Sequence, residues 1–196
     1  TKMPFQTLKQ FYSTCKKCPE LCTTRIQVVF GSGNPNADVL FIGEAPGANE
    51  DKNGVPFCGM SGKILEELLQ SINLSREDIF ITNTILCRPP NNRNPSKVEV
   101  ENCRERLDQL LKVMKPKVIV TIGNFATDRI IGKTGIKTIR GKVFNYGEFK
   151  VIPVVHPASY LYSGRNPEML QQMKNDFSII AENINIKRTQ KSLGEF

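Results

Sequence analysis

Long apolar runs are the first thing that this sequence of 196 residues lacks. No window approaches the roughly 20 consecutive apolar residues of a membrane-spanning helix, and residues 1–10 lack the apolar centre of a signal peptide. We therefore expect a protein outside the membrane, in the cytoplasm, and associated with the nucleoid if the source is prokaryotic. The six cysteines are then poor candidates for disulfides, so that metal binding or simple burial must explain them.

Acidic residues are also in the minority, and neither an internal repeat nor a linker interrupts the sequence. Lys and Arg total 27 against 19 Asp and Glu, which gives a formal net charge of +8. This excess favours a polyanionic partner, most commonly nucleic acid, although a solvated basic surface explains the charge about equally well. One hydrophobic core suffices at this length. We predict a single domain over residues 1–186 and a flexible tail over residues 187–196.

Short apolar runs alternate with segments of helical periodicity along the chain. The predicted strands cover residues 39–42, 79–82, 118–122 and 151–155. The predicted helices cover residues 64–72, 96–114 and 124–131, and a last one begins at Asn166-Pro167. Strands that alternate with helices indicate a parallel, doubly wound α/β sheet. Pro153 predicts an edge position for the fourth strand, because proline cannot donate a hydrogen bond to a neighbour.

Parallel sheets of this kind bind ligands beyond the carboxyl ends of their strands. The residues that follow the predicted strands are the loop Gly43-Glu44-Ala45-Pro46-Gly47, Asn83, Asn124 and His156. The loop alone is a weak motif, since it lacks the spacing of a dinucleotide-binding or Walker loop. A single histidine is more often a packed or surface residue than a catalytic one. Its position at a strand end nevertheless makes His156 a candidate.

An aromatic residue and two carboxylates lie on the excursion that follows this loop. Glu50 and Asp51 come first, and Phe57 then stands between Pro56 and Gly59. Phe57 is poorly placed for a core helix. It is either a residue packed on the loop as a cover or a stacking platform for a flat ligand.

Four cysteines form two pairs, one tight and one separated by a loop. The pairs are Cys15 with Cys18, and Cys87 with Cys103. Four thiolates suffice for an iron-sulfur cluster or for a tetrahedral zinc site, and the spacing does not choose between the two. Cys22 and Cys58 are left over, and Cys22 lies close enough behind Cys18 to replace one of the ligands.

Taken together and in this order, the motifs closely resemble the iron-sulfur family 4 uracil-DNA glycosylases. The matching pieces are Cys15-x-x-Cys18, Gly43-Glu44-Ala45-Pro46-Gly47 with Glu50-Asp51, Pro56-Phe57-x-Gly59, Thr82-Asn83, Cys87-Arg88-Pro89-Pro90-x-Asn92-Arg93, Cys103 and His156-Pro157-Ala158-Ser159. The resemblance implies a three-layer α/β fold in which helices flank a four-stranded parallel sheet. It also implies a structural [4Fe-4S] cluster and the removal of uracil from single- and double-stranded DNA. The cluster ligands would be Cys15, Cys18, Cys87 and Cys103. We expect a monomer.

The resemblance assigns the uracil pocket residue by residue. Phe57 matches the ring that stacks on the base. Asn83 matches the residue that reads the pyrimidine edge, since its amide can accept from N3–H and donate to O4. Neighbours must fix that amide, because a flipped amide would suit cytosine. Glu50 matches the position that crowds the C5 side against thymine, and Gly43, Glu44 and Ala45 complete the pocket.

The same resemblance distributes the catalytic roles. The base leaves as an anion, so donors aimed at uracil O2 lower the barrier. His156 is the side-chain donor, and backbone N–H groups near Ala45 are a second source. Glu44 orients the attacking water or offsets the positive charge of the sugar. Related families carry Asp where this chain has Ala45, so we expect water to be positioned more than activated.

Contacts with DNA are expected from a loop and from basic side chains. The segment 160–165 resembles the loop that fills the space of the flipped base, with Leu161 as the apolar wedge. Phosphate contacts that make binding salt-dependent are expected from Arg88, Arg93 and Arg165, together with Lys16 and Lys17.

Three rival interpretations remain open. One is a related glycosylase for hypoxanthine or for thymine opposite guanine, against which Asn83 and Glu50 argue. The others are a cluster-bearing DNA-binding module without enzymatic activity and a zinc-stapled nucleotide-binding protein. Neither gives Phe57, Asn83 and His156 a joint purpose.

Overall fold

A mixed sheet of six strands runs through the protein, whose computed structural model describes residues 3–184. The strands are β1 (Ser32–Gly33), β2 (Val39–Gly43), β3 (Phe80–Asn83), β4 (Val118–Ile122), β5 (Phe144–Tyr146) and β6 (Phe149–Val154), in the order β1-β3-β2-β4-β6-β5. The inner strands β3, β2, β4 and β6 are mutually parallel, whereas β1 and β5 run antiparallel at the two edges. The predicted α/β class is confirmed, and the four predicted strands are the parallel inner ones, but the sheet is mixed and has two further strands at its edges.

The two edge strands escape detection in the sequence because they are short and incompletely buried. β1 has two residues and β5 has three, and neither carries an unbroken apolar run. The edge position predicted for β6 is also wrong, since β5 pairs with it. That pairing ends at Val151, two residues before Pro153. Pro153 therefore lies in the part of β6 that needs no donor for β5.

Helices cover both faces of the sheet. Their bounds are α1 (Phe5–Tyr12), α2 (Pro19–Thr24), α3 (Ala48–Asn53), α4 (Met60–Gln70), α5 (Lys97–Asn102), α6 (Arg104–Met114), α7 (Gly123–Ile131), α8 (Ile136–Ile139), α9 (Ala158–Tyr162) and α10 (Pro167–Asn183), with short 3-10 turns at Arg76–Asp78 and Pro90–Asn92. Ser96 and Glu99 form a capping box at the start of α5, and the Asn166 side chain accepts from the Glu168 N–H at the start of α10. The helix predicted over 96–114 is instead two helices that meet at Cys103.

The core is divided by the sheet into two apolar clusters. Val39 and Phe41 of β2 pack on the side of α4 and α10, whereas Leu40 and Ile42 pack on the side of α1, α6 and α7. Burial of each such side chain stabilises the fold by about 1.5–3 kcal/mol. The carboxyl ends of the inner strands are therefore held by packing on both faces.

None of the helices in the described range is long and apolar enough to cross a membrane. The tail predicted for residues 187–196 lies outside the described residues.

Candidate active site

Two of the predicted base-contacting residues meet over Gly43, at the carboxyl end of β2. Gly43 pairs in register with Asn83, the last residue of β3, and Asn83 is only 3% exposed. A Cβ atom at Gly43 would overlap the Asn83 Oδ1 atom and would lie 2.9 Å from Cε2 of Phe57. Only glycine therefore lets the ring and the amide converge at this point.

The Phe57 ring also faces the single histidine of the chain. The rings of Phe57 and His156 are stacked, with centroids 5.6 Å apart and planes inclined by 30°. His156 lies two residues after the end of β6, so a residue at or just beyond the carboxyl end of β2, β3 and β6 contributes to this site. The structure thus brings together Gly43, Asn83, Phe57 and His156, as predicted. Asn124, the fourth residue named at a strand end, instead accepts from the Ile136 N–H at 3.0 Å on an exposed turn.

Phe57 is held in an unusual backbone conformation. Its φ is +52°, in the left-handed region that costs an aromatic residue about 1–3 kcal/mol. Arg76 compensates, because its guanidinium donates to the carbonyl of Phe57 and, at 3.0 Å, to that of Pro56. Glu66 pairs with Arg76 at 2.6 Å. At Gly62 any Cβ would collide with the Phe57 carbonyl, so a glycine is required there as well.

His156 is fixed in one tautomer by its local hydrogen bond. Its Nδ1 atom accepts from the Ala158 N–H at 3.0 Å, so the proton of the neutral ring lies on Nε2. Burial lowers the pKa of His156 below its ordinary value of 6.5. The side chain is therefore a neutral imidazole that can donate from Nε2 at neutral pH.

The loop after β2 is tied to the chain that leaves β3. The Gly43 carbonyl accepts from both the N–H and the hydroxyl of Thr84, each at 2.8 Å, and the Glu44 carbonyl accepts from Ile85 at 3.1 Å. Burial raises the pKa of the Glu44 carboxyl above its ordinary value of 4.5. Ala45 packs against the apolar cluster that contains Cys87, so this loop also contacts the cysteine region.

Glu50 lies on α3 beside the residue that follows Phe57. The thiol of Cys58 donates to Oε2 of Glu50 at 3.8 Å. A Cβ atom at Gly47 would lie 3.6 Å from Oε1, which places the carboxylate over the start of α3. The neighbouring Asp51 is only 1% exposed and accepts from the Ile26 N–H at 2.9 Å, which fixes the helix that carries Glu50.

The four cysteines predicted as ligands line one small pocket. They are Cys15, Cys18, Cys87 and Cys103. Arg25 donates to the Cys87 sulfur at 3.1 Å, and Asn102 donates to that of Cys18 at 3.5 Å. Burial raises the pKa of Cys87 to about 11, so its thiolate needs compensating positive charge. Four neighbouring thiols of this kind fit a metal centre that takes thiolate ligands.

The two remaining cysteines lie apart from that space. Cys22 donates to the Cys15 carbonyl at 3.7 Å, whereas Cys58 contacts Glu50 near the pocket. The open alternative, in which Cys22 replaces a ligand, receives no support from this geometry. Over residues 3–184, no three His, Cys, Asp or Glu side chains stand close enough to hold a metal ion. The arrangement therefore shows a shared sulfur environment and not ligation.

The residues predicted to contact DNA from the last loops differ in exposure. Leu161 is partly buried against the core, whereas Tyr162 at the end of α9 is 89% exposed. Arg165 is exposed and has a φ of +62°. Lys16 and Lys17, near the first cysteines, are exposed as well. Sequence patterns single out Leu161, but the outermost apolar side chain of this segment is Tyr162.

The two arginines of the Cys87 loop already have protein partners. Arg88 donates to Asn92 at 2.7 Å. Arg93 lies between Glu99 at 2.7 Å and Glu20 at 3.4 Å. Arg93 thereby joins the capping box of α5 to α2, and Arg88 stabilises the turn in front of it.

Two functional arginines are missing from the sequence-based prediction. Arg76 holds the Phe57 carbonyl, and Arg106 is fully buried behind Asn83. A signal existed for Arg106, since it lies on the helical face that Leu107 and Leu110 make apolar. Nothing in the sequence marks Arg76.

Comparison with known proteins adds the family. Residues 30–178 match the model of the uracil DNA glycosylase superfamily. The Type-4 uracil-DNA glycosylase of Archaeoglobus fulgidus is 43% identical, over 86% of this chain and 87% of that protein. The chain belongs to the Type-4 uracil-DNA glycosylase family.

Further members of the Type-4 family match over similar lengths. The Sulfurisphaera tokodaii protein is 42% identical over 90% of this chain and 83% of its own. The Saccharolobus solfataricus protein is 40% identical over 88% and 83%. The resemblance inferred from the motifs is thereby confirmed at the level of the family.

Proposed function

We propose that this protein hydrolyses the N-glycosidic bond of uracil in DNA, which releases free uracil and leaves an abasic site for base-excision repair. The observation that carries the proposal is the convergence of Phe57, Asn83 and His156 around Gly43, at the carboxyl ends of three strands. A stacking ring, an edge-reading amide and a neutral donor are what a flipped pyrimidine requires.

Recognition begins when the nucleotide leaves the stack, at a cost of about a few kcal/mol. Phe57 offers its ring face, and Asn83 accepts from N3–H and donates to O4. Among the described residues the Asn83 side-chain amide has no hydrogen-bond partner, so both of its ends are available to the base. Glu50 crowds the C5 position, because an apolar pocket alone discriminates one methyl group only about 10 to 200-fold.

Cleavage leaves negative charge on the base and positive charge on the sugar, and the site has a side chain near each of them. The C1′–N1 bond breaks with both electrons leaving on uracil, and Nε2–H of His156 donates to the developing charge at O2. Glu44 positions the water that adds to C1′, and its carboxylate takes the released proton on the way to solvent. Ala45 offers no second carboxylate. The mechanism thus relies on stabilising the departing base more than on a strong base.

The cofactor we propose is a [4Fe-4S] cluster held by Cys15, Cys18, Cys87 and Cys103. The support is four thiols that line one small pocket, with Arg25 and Asn102 donating to two of the sulfurs. A cluster there would crosslink three chain segments and would take no part in hydrolysis. Iron and sulfide analysis with visible absorption tests this, since stoichiometric zinc in a colourless protein would contradict it.

We assign the DNA surface to the end of α9 and the segment after it. Leu161 anchors this segment in the core, and Tyr162 extends from it toward the base stack as the wedge. Arg165 contacts phosphate. Arg88 contributes a second phosphate contact. Arg93, which two carboxylates already hold, maintains the loop that presents Arg88.

The test uses metal-replete protein and an end-labelled oligonucleotide with one uracil. We expect free uracil and an alkali-labile site in single- and double-stranded substrates, with no backbone cut before alkali. Matched oligonucleotides with thymine or cytosine at that position should stay intact. Complete retention of uracil would contradict the proposal, and release of hypoxanthine or of mispaired thymine at a comparable rate would favour a relative with broader specificity.

A further inference from the structure

Arg106 is a charged residue in an apolar place. It lies on α6 with no exposed surface, beside Leu107 and Leu110. Within residues 3–184 it has no carboxylate partner, and its Nε atom has no hydrogen-bond partner. A buried guanidinium without a counter-charge lowers stability relative to an apolar side chain of similar size. The contacts it does make must therefore explain its presence.

The hydrogen bonds of 3.3 Å or less that Arg106 makes are with the end of β3, and the Cys103 thiol also lies beside the guanidinium. One terminal nitrogen of Arg106 donates to the carbonyl of Asn83 at 2.7 Å and to that of Thr84 at 3.0 Å. The other donates to the Thr82 hydroxyl at 3.3 Å. The guanidinium thus spans three consecutive residues, the middle of which is Asn83.

The peptide between Asn83 and Thr84 is consequently held from both sides. Its N–H donates to the Gly43 carbonyl at 2.8 Å, which ties it to β2. A trans peptide directs its C=O to the opposite side, away from β2. On that side β1 pairs with β3 only at Phe80 and Ile81, so no strand covers the Asn83 carbonyl. Arg106 is the group that satisfies it.

We propose that Arg106 is a positioning residue for uracil recognition, which fixes the Asn83–Thr84 peptide and thereby the place from which the Asn83 amide reaches the uracil edge. The inference rests on the proposed function. Hydrogen bonds to N3–H and O4 depend on distance and angle, so recognition requires that the main chain carrying the amide does not shift. Arg106 supplies that immobility from outside the pocket without touching the base.

The test compares Arg106→Met and Arg106→Lys with Arg129→Met. Arg129 is a matched control, because it is also buried, donates to the Arg104 carbonyl at 3.1 Å and pairs with Asp108 at 2.8 Å, but makes no contact with β3. Each variant is assayed for kcat and KM on a uracil oligonucleotide, for inhibition by free uracil and for its thermal unfolding midpoint.

We expect Arg106→Met to weaken inhibition by free uracil and to lower kcat/KM, each about 10- to 100-fold, as loss of hydrogen bonds to a charged group implies. Arg106→Lys should recover part of both, since an ammonium still reaches a carbonyl. Arg129→Met should lower the unfolding midpoint and leave both constants near those of the parent protein.

Two results would overturn the inference. One is a folded Arg106→Met protein whose inhibition by uracil is unchanged, and the other is an equal loss in Arg129→Met. If Arg106→Met does not fold, Arg106→Gln decides, because its shorter side chain cannot bridge both carbonyls and unchanged uracil inhibition in that variant also contradicts the role. A parent protein that releases no uracil overturns the proposed function instead, so the two failures are distinguishable.

Discussion

Phe57 and Asn83 meet over Gly43, and an arginine outside the pocket holds the main chain of each. Arg76 holds Phe57 from a partly exposed position and is itself paired with Glu66. Arg106 holds Asn83 from the interior without a carboxylate partner. The Phe57 side is a strained loop with solvent-accessible support, whereas the Asn83 side is a strand end clamped by buried groups.

This difference separates two tasks. Stacking tolerates small displacements of a ring, so a loop with accessible support is sufficient there. Edge reading depends on donor and acceptor positions, which must be fixed before the base arrives. Changes on the Asn83 side should therefore affect the chemistry most, and changes on the Phe57 side should affect binding more.

The largest effect is expected from Asn83→Asp. A carboxylate cannot donate to O4, and it adds negative charge next to a base that leaves as an anion. We expect kcat/KM for uracil release to fall roughly 100-fold or more, as the loss of the hydrogen bond to O4 and the repulsion between a buried carboxylate and the anionic base imply. Single-turnover rates on single-stranded DNA measure this without the cost of duplex opening. Undiminished rates would remove Asn83 from the pocket.

The pH dependence examines His156 and Glu44, since Asn83 and Arg106 do not titrate near neutral pH. His156 acts as a neutral donor and its pKa lies below 6.5, whereas Glu44 acts ionised and its pKa lies above 4.5. Protonation of either group inactivates, so activity falls as the pH decreases. We expect an acid limb of kcat/KM that lies above pH 4.5, because the pKa of Glu44 is raised, with about a tenfold loss per pH unit below the pKa of each group.

Two variants locate the groups responsible for that limb. His156→Gln keeps a donor that does not titrate, and Glu44→Gln removes the carboxylate. Each variant lowers the rate, but the acid limb changes its position or steepness only in a variant that has lost a group responsible for it. If both variants keep the acid limb of the parent protein, both assignments are contradicted.

A smaller loss is expected from Arg76→Met, which frees the Phe57 carbonyl. Release of the left-handed conformation lets the ring leave its position, and we expect KM to rise about tenfold with a smaller change in kcat. Glu66→Gln is the matched control, because it breaks an ion pair worth about 0–1 kcal/mol and keeps both carbonyl contacts. Equal effects of the two variants would mean that the ion pair, and not the carbonyl contacts, positions Phe57.

The smallest effect is expected from Tyr162→Ala, at the exposed end of α9. An exposed aromatic side chain that fills the stack matters only where a stack has to be opened. We expect a few-fold lower kcat/KM on double-stranded DNA and an unchanged value on single-stranded DNA. Leu161→Ala serves as the comparison, since it removes core packing and should lower stability as well. An equal loss on both substrates would assign Tyr162 to general binding.

Much of the candidate site could be predicted because it follows a topological rule. Gly43, Asn83 and His156 lie at the carboxyl ends of parallel strands that short apolar runs reveal, so their convergence required no knowledge of tertiary contacts. The cysteine pairs were predictable in the same way from spacing. In the structure the four cysteines line one pocket, but within residues 3–184 their side chains do not stand close enough together to hold a metal ion.

The parts that escaped prediction depend on contacts between distant segments. Arg76 and Arg106 donate to main-chain carbonyls, and the positions of those carbonyls cannot be predicted from the order of side chains in the sequence. The strands β1 and β5 are too short for a periodic signal. The break at Cys103 was invisible because the apolar positions of α5 and α6 continue one helical face across it.

Gly43 has a consequence for how this protein tolerates substitution. It has no side chain, donates nothing to a base and carries no charge, yet a single methyl group there would displace both the Asn83 amide and the Phe57 ring. A saturation library selected for activity should therefore reject every replacement at this position as strictly as at the residues that touch uracil. Intolerance of that kind marks an empty volume, about the size of one methyl group, that the enzyme has to keep free.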